Sequence, residues 1–207
     1  MDVKSAFLNV FIEEKVYVRQ PPGFESSHSQ FQNRVFKLRK ALYGLKQAPQ
    51  AWFARLKSFL LESGFEMGSV DKTFFLLRHG HYILIVQIYV DDIIFGGSSH
   101  ELVAKFADTM SREFKMSMMG ELTFFLGLQI KQVKEGTFIH QGKYTKDVLK
   151  KFDMGETKPL STPMSTLMAL DAYEEGEPVD QKEYRIMIGS LLYLTVTRPN
   201  ILFGVCL

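Results

Sequence analysis

Two adjacent aspartates, Asp91 and Asp92, interrupt the most apolar stretch of the 207-residue chain. Upstream lies Tyr82-Ile-Leu-Ile-Val-Gln-Ile88, then Tyr89-Val90; downstream lies Ile93-Ile-Phe95. Such β-branched runs on both sides predict a hairpin with the carboxylates at its tip, aimed off the sheet edge. Aspartate is also a common turn residue, so a plain Asp-Asp turn is one reading. The other is a divalent-cation site. Mg²⁺ takes carboxylate oxygens together with substrate phosphates. Two such ions roughly 3.5–4 Å apart activate an attacking hydroxyl and stabilise the leaving oxygen of a phosphoryl transfer. That chemistry needs a third carboxylate from a neighbouring strand, and Asp2 is the candidate. It lies in Met1-Asp-Val-Lys-Ser-Ala-Phe-Leu-Asn9, where Ser5, Ala6 and Asn9 suit a strand end turning into a helix. The alternative for Asp2 is an ordinary surface residue near a terminus that frays.

The elements around these residues are legible from pattern. Lys15 to Gln20 alternates as a short strand stopped by Pro21-Pro22-Gly23, and Val35 to Leu38 suits another. A helix is expected from Pro49 to Ser63, with Trp52, Phe53, Leu56, Phe59 and Leu60 as its apolar stripe. Trp52 reads as core on that stripe rather than as a platform for stacked bases. Thr73 to Leu77 and Tyr82 to Val90 suggest a hairpin through Arg78-His79-Gly80-His81. Ser98 and Glu101 have the spacing of a capping box opening a helix to Lys115. Leu122 to Ile130 and Thr137 to His140 predict a second hairpin. Tyr144 to Phe152 and Asp180 to about Thr197 predict two more helices. Hairpins mixed with helices, without regular β-α-β alternation, indicate an α+β architecture.

Composition is that of a globular chain, 46% apolar and 23% charged, with 18 Phe. The single cysteine, Cys206, excludes a disulfide framework and any Cys-based zinc site. No basic stretch followed by an apolar run opens the chain, and no apolar run is long enough to span a bilayer. The expectation is an intracellular protein, in the cytoplasm or nucleus, and not a secreted one. Net charge is +2, but residues 1–60 carry ten basic and four acidic side chains. Between Arg34 and Lys57 there are seven basic residues and no acid. That segment suits either a nucleic-acid phosphate backbone or a solvated face balanced by the acidic stretch from Glu156 to Glu183. The five histidines are scattered without metal-ligand spacing, and the Glu174 to Glu177 run reads as a solvated loop.

Six blocks in order carry a family resemblance: M-D-V-K-S-A-F-L-N (1–9), E-E-K-V-Y-V-R-Q-P-P-G-F (13–24), L-Y-G-L-K-Q-A-P (42–49), Y-V-D-D (89–92), G-E-L-T-F-F-L-G-L-Q-I (120–130) and G-S-L-L-Y-L-T-V-T-R-P (189–199). With them the chain resembles the reverse transcriptase of copia-type retrotransposons. Val10, Gln50 and Asn200 stand where that family usually has Gly, Arg and Asp.

The resemblance implies a right-hand polymerase. Residues 1–118 would form a palm, a ferredoxin-like antiparallel sheet with helices on one face, with a remnant of the fingers at about 10–42. Residues 119–207 would hold a primer-grip hairpin and a thumb-like or connection-like part. Asp2, Asp91 and Asp92 match the metal-binding catalytic aspartates, which would hold two Mg²⁺, with Mn²⁺ as a substitute. Phe7, Gly44 and Val90 match nucleotide-binding positions. Phe7 would exclude a ribose 2′ hydroxyl, although a core Phe is an equal reading, and Gly44 would allow close backbone approach. Lys37, Arg39, Lys40, Lys46, Gln47, Arg55, Phe125, Leu126 and Gly127 would contact nucleic acid. The implied partners are an RNA or DNA template–primer, deoxynucleotide triphosphates and the rest of a polyprotein (fingers, ribonuclease H, integrase). Because family members continue beyond both ends, the expectation is a weak or inactive polymerase as an isolated chain. The alternative is a catalytically dead relic that binds template–primer without sequence preference.

Overall fold

A computed structural model describes residues 1–24, 34–160, 176 and 178–206. His28 and most of the Glu174 to Glu177 run lie outside the described residues. Two compact units are present, residues 1–120 and 121–207.

The first unit is organised by a row of small and apolar residues spaced four apart. Ala48, Trp52, Leu56 and Leu60 are all buried on helix α1, Ala48–Glu62. A period of four on a 3.6-residue helix draws one stripe, and that stripe is the core-facing side. Pro49 sits in its first turn, where its missing N–H is not needed. Helix α2, His100–Glu113, buries Phe106 and Met110 in the same core. Its cap lies one residue later than the capping box places it. The Ser99 hydroxyl accepts from the Leu102 amide, whereas Ser98 Oγ accepts from the Ile83 amide at 3.0 Å. Ser98 is drawn onto the sheet because β7 ends opposite Leu84, and the Ile83 amide beyond it would otherwise lack a partner.

The strands of this unit are β1 (Asp2–Val3), β4 (Glu66–Met67), β5 (Phe74–His79), β6 (Tyr82–Tyr89), β7 (Asp92–Gly97) and β8 (Met116–Ser117). They form an antiparallel sheet in the order β4-β5-β6-β7-β1-β8. Within it, β1-α1-β6-β7-α2-β8 is a β-α-β-β-α-β unit with β1 inserted between β7 and β8. Leu84, Val86 and Ile88 alternate into the core along β6, while Ile83, Ile85 and Tyr89 are exposed. A separate two-stranded sheet pairs β2 (Tyr17–Val18) with β3 (Phe36–Lys37), in register Tyr17 to Lys37.

In the second unit, β9 (Phe124–Phe125), β10 (Leu128–Val133) and β11 (Gly136–His140) make a three-stranded antiparallel sheet. The expected continuous strand from Leu122 to Ile130 is instead broken into two, because Leu126 and Gly127 both take positive φ and reverse the chain. Helices α3 (Gly142–Lys151), α4 (Gln181–Leu194) and α5 (Leu202–Cys206) follow. Asp180 caps α4, accepting from the Lys182 and Glu183 amides. Gln141 is buried with both polar atoms partnered: its amide donates to the Tyr193 carbonyl, and its oxygen accepts from the Thr197 hydroxyl. Among the described residues no helix is long and apolar enough to cross a membrane.

Candidate active site at the end of the large sheet

Topology decides which carboxylates meet. The insertion of β1 beside β7 puts Asp2 directly opposite Asp92, with Ser117 on its other side. Val3 and Ile93 are buried, so alternation along both strands turns Asp2 and Asp92 to the face away from the core. Asp2 does not sit in a frayed end. The Val3 amide donates to the Asp91 carbonyl at 3.1 Å, and the Ile93 amide donates to the Met1 carbonyl at 2.9 Å. The strand is held on both sides by ladder bonds, which is what fraying would have to break.

The β6–β7 hairpin is closed by the Tyr89–Asp92 pair, leaving Val90 and Asp91 as the turn. Val90 has φ 56°. Positive φ at the first turn residue only is the II′ pattern, where glycine is the usual occupant. A β-branched residue there is strained and persists only because its surroundings hold it. One such restraint is a hydrogen bond from Trp52 Nε1 to the Val90 carbonyl, 2.7 Å long. Trp52 is therefore core, as its place on the α1 stripe predicts, but its polar end reaches the turn. Sequence reasoning missed this contact. The available signal was that a buried indole N–H needs an acceptor.

Electrostatics set Asp92 apart. Burial first, then the charges of Asp91 and Asp2, hold its carboxyl above the ordinary aspartate range. Asp92 is thus close enough to Asp91 and Asp2 to feel the charge of both. The three do not converge into a closed ligand set: among the described residues no three His, Cys, Asp or Glu side chains form a group able to hold a metal ion.

The other nominated residues divide by exposure. Phe7 lies on a short 3₁₀ turn, Phe7–Asn9, and is buried in the core with its ring tilted against Tyr43 at 4.7 Å. Tyr43 itself is half exposed and precedes Gly44. Gly44 has φ 89°, and a Cβ there would meet nothing within 4 Å. Its glycine is required by backbone conformation, not by a close approach of this chain to itself. Lys37, Arg39, Lys40 and Lys46 are exposed; Gln47 is half-buried at the start of α1. Lys40 Nζ lies over the exposed Phe11 ring. Arg55 differs from them. Its guanidinium donates to the Asn9 carbonyl at 2.9 Å and to Glu113 at 3.1 Å, and it packs over the Phe114 ring. Those contacts brace α1 against the 3₁₀ turn and the end of α2.

In the second unit, Leu126 and Gly127 form the β9–β10 turn with φ 48° and 84°, the pattern of a type I′ turn. The Tyr193 hydroxyl donates to the Leu126 carbonyl, and a Cβ at Gly127 would lie 3.3 Å from Tyr193 Oη. The half-buried Phe125 pairs with Leu128 across this turn.

The amino-acid sequence matches the family model described as reverse transcriptase (RNA-dependent DNA polymerase) over residues 1–166, which include the large sheet and its aspartates. The chain belongs to this reverse transcriptase family, and it corresponds to the reverse transcriptase domain of copia-type Pol polyproteins. It is 40% identical over 205 residues to the retrovirus-related Pol polyprotein from transposon RE1 of Arabidopsis thaliana, covering 99% of this chain and 14% of that protein. The corresponding polyprotein from transposon TNT 1-94 of Nicotiana tabacum is 36% identical over 217 residues, covering 99% of this chain and 16% of that protein. The chain thus spans less than a fifth of these relatives' length. No solved structure matches it.

Proposed function

We propose that this chain carries the catalytic core of a template-directed DNA polymerase, with Asp2, Asp91 and Asp92 as the phosphoryl-transfer carboxylates. The observation that carries the reading is the in-register pairing of Asp2 with Asp92 beside the turn that bears Asp91. In this reading the large sheet with α1 and α2 is the palm, and the β2–β3 ladder is part of the fingers. The second unit supplies a primer-gripping turn at Phe125, Leu126 and Gly127 and a thumb-like region.

The donor set suits Mg²⁺ in kind, since all three side chains offer hard oxygens. Burial and, after it, the charges of Asp91 and Asp2 raise the Asp92 pKa, and a bound cation would relieve the charge part of that. Asp2, Asp91 and Asp92 would hold the ions after a change of side-chain rotamer, because they do not converge as they stand. Two Mg²⁺, when bound, would acidify the primer hydroxyl and neutralise the leaving pyrophosphate. This chain's own residues contribute position and field. Asp2 and Asp92 are fixed by ladder bonds on adjacent strands, so their separation is set by the sheet rather than by a loop. Lys37, Arg39, Lys40 and Lys46 would attract the phosphate backbone of template–primer with strong salt dependence. Phe7 and Tyr43, in contact with each other, would bound the sugar side of the nucleotide site next to Gly44.

The test is Mg²⁺-dependent addition of a deoxynucleotide to an annealed primer, by the chain and by Asp91→Asn. Slow, template-dependent addition that Asp91→Asn lowers at least a hundredfold is expected; addition that survives the substitution refutes the reading. The open arrangement of the aspartates also favours a second reading, a relic that binds template–primer without extending it. Equal duplex binding by both proteins, with extension by neither, selects that one.

A further inference from the structure

We infer that Trp52 is a positioning residue for the aspartate turn: its indole N–H holds the Val90 carbonyl and so fixes where Asp91 stands relative to the Asp2–Asp92 pair. The inference rests on reading those aspartates as the phosphoryl-transfer site. Trp52 is the only tryptophan of the chain. It is 1% exposed, so its N–H must find an acceptor inside the protein or lose its hydration uncompensated. The acceptor is the main-chain carbonyl of a residue that lies 38 positions later and is itself strained at φ 56°.

The contacts on either side of that carbonyl give the bond its consequence. The next carbonyl, of Asp91, accepts the Val3 amide, and Val3 follows Asp2. The amide of Ile93, which follows Asp92, donates to the carbonyl of Met1. Two main-chain bonds therefore tie the turn to β1, and the indole ties it to α1. The indole has little freedom of its own. Its ring meets Phe114 edge-on at 5.3 Å, and Phe114 is met in turn by Phe59 at 5.2 Å and by the Arg55 guanidinium. A rigid aromatic cluster thus ends in one hydrogen bond on the turn that aims the carboxylates. Sites of this chemistry tolerate misplacement of only about half an ångström.

A single tryptophan permits a near-single-atom test. The 207-residue chain is made with a tryptophan analogue carrying sulfur in place of the Nε1–H group, which keeps the bicyclic shape and removes the donor. Main-chain hydrogen exchange is read by NMR without any metal. The Val3 and Ile93 amides are expected to exchange roughly five- to tenfold faster than in the natural chain, the factor for one net hydrogen bond. The Leu84 and Val86 amides, deeper in the same sheet, are expected to keep their rates. Unchanged protection at Val3 and Ile93, or equal acceleration throughout the sheet, overturns the inference.

A Mn²⁺ titration of the natural chain, the analogue and Asp91→Asn forms the second arm. Positioning expects the analogue to bind Mn²⁺ several-fold more weakly than the natural chain, with Asp91→Asn weaker still. Unchanged affinity in the analogue reduces Trp52 to packing and overturns its positioning role. Equal binding by the natural chain and Asp91→Asn defeats the phosphoryl-transfer reading instead. The exchange rates then separately show whether Trp52 holds the turn.

Discussion

Replacing Val90 by glycine removes a side chain from the β6–β7 turn, yet the backbone makes this an unusually mild change. A non-glycine residue in the left-handed region is strained by about 1–2 kcal/mol, and Val90 sits there at φ 56°. Val90→Gly releases that strain. Against it stand a larger conformational entropy in the unfolded chain, about 0.5–1 kcal/mol, and the lost burial of a side chain that is 45% exposed. Half-burial of a valine stabilises by roughly 0.7 kcal/mol. The effects nearly cancel, so Val90→Gly is expected to stay within about 1 kcal/mol of the natural chain. Ile85→Gly is the control. Ile85 lies on β6, the strand that leads into the turn, is 36% exposed and has no positive φ. It has no strain to release and is expected to lose about 2–3 kcal/mol. Urea unfolding followed by the fluorescence of Trp52 reports both, since that single tryptophan lies in the first unit. Equal destabilisation by the two substitutions would show that the turn stores no strain and that the restraint argument is wrong.

The pH dependence of stability carries a sign that can be checked. The folded-state pKa of Asp92 is raised, so between its unfolded value, about 3.9, and its folded value the native state binds the extra proton. Stability from this group is full below the unfolded pKa and is lost as pH rises through the folded one. Asp92→Asn is expected to be more stable than the natural chain at pH 7, with the difference vanishing toward acid; thermal unfolding across that range tests it. Replacing Lys37, Arg39 and Lys40 together by alanine is expected to weaken template–primer binding and flatten the dependence of log K on log salt by up to about 2–3. An unchanged slope assigns those cations to solvent. Gly127→Ala forces a Cβ at φ 84° to within 3.3 Å of Tyr193 Oη, and is expected to destabilise the second unit by about 1–2 kcal/mol, read by circular dichroism.

Much of this fold was legible because its signals are local. Of the expected α1 stripe, Trp52, Leu56 and Leu60 are buried and Phe53 and Phe59 partly so, and Pro49 marks the start of the helix. The Tyr82 to Phe95 stretch announces a hairpin around the aspartates. The misses are non-local or stereochemical. The capping box places the cap at Ser98, but the Ile83 amide takes the Ser98 hydroxyl and leaves the cap to Ser99. The Leu126–Gly127 reversal escapes the strand pattern, though the family resemblance places a hairpin there; it depends on a leucine accepting positive φ, and the Tyr193 hydroxyl supports it from another element. At the site, sequence spacing nominates Asp2 as the third carboxylate, but its place opposite Asp92 follows from strand order. The bond from Trp52 to the turn, and the use of Arg55 as a brace, are contacts between residues far apart in the chain. No periodicity encodes them.

We propose Asp2, Asp91 and Asp92 as one divalent-cation site, and calorimetric titration with Mn²⁺ tests that proposal most directly. The natural chain is expected to bind Mn²⁺, and Asp2→Asn and Asp91→Asn are each expected to weaken that binding at least tenfold, equivalent to about 1.4 kcal/mol. Affinity that is the same in all three proteins, or no binding by the natural chain, would contradict it.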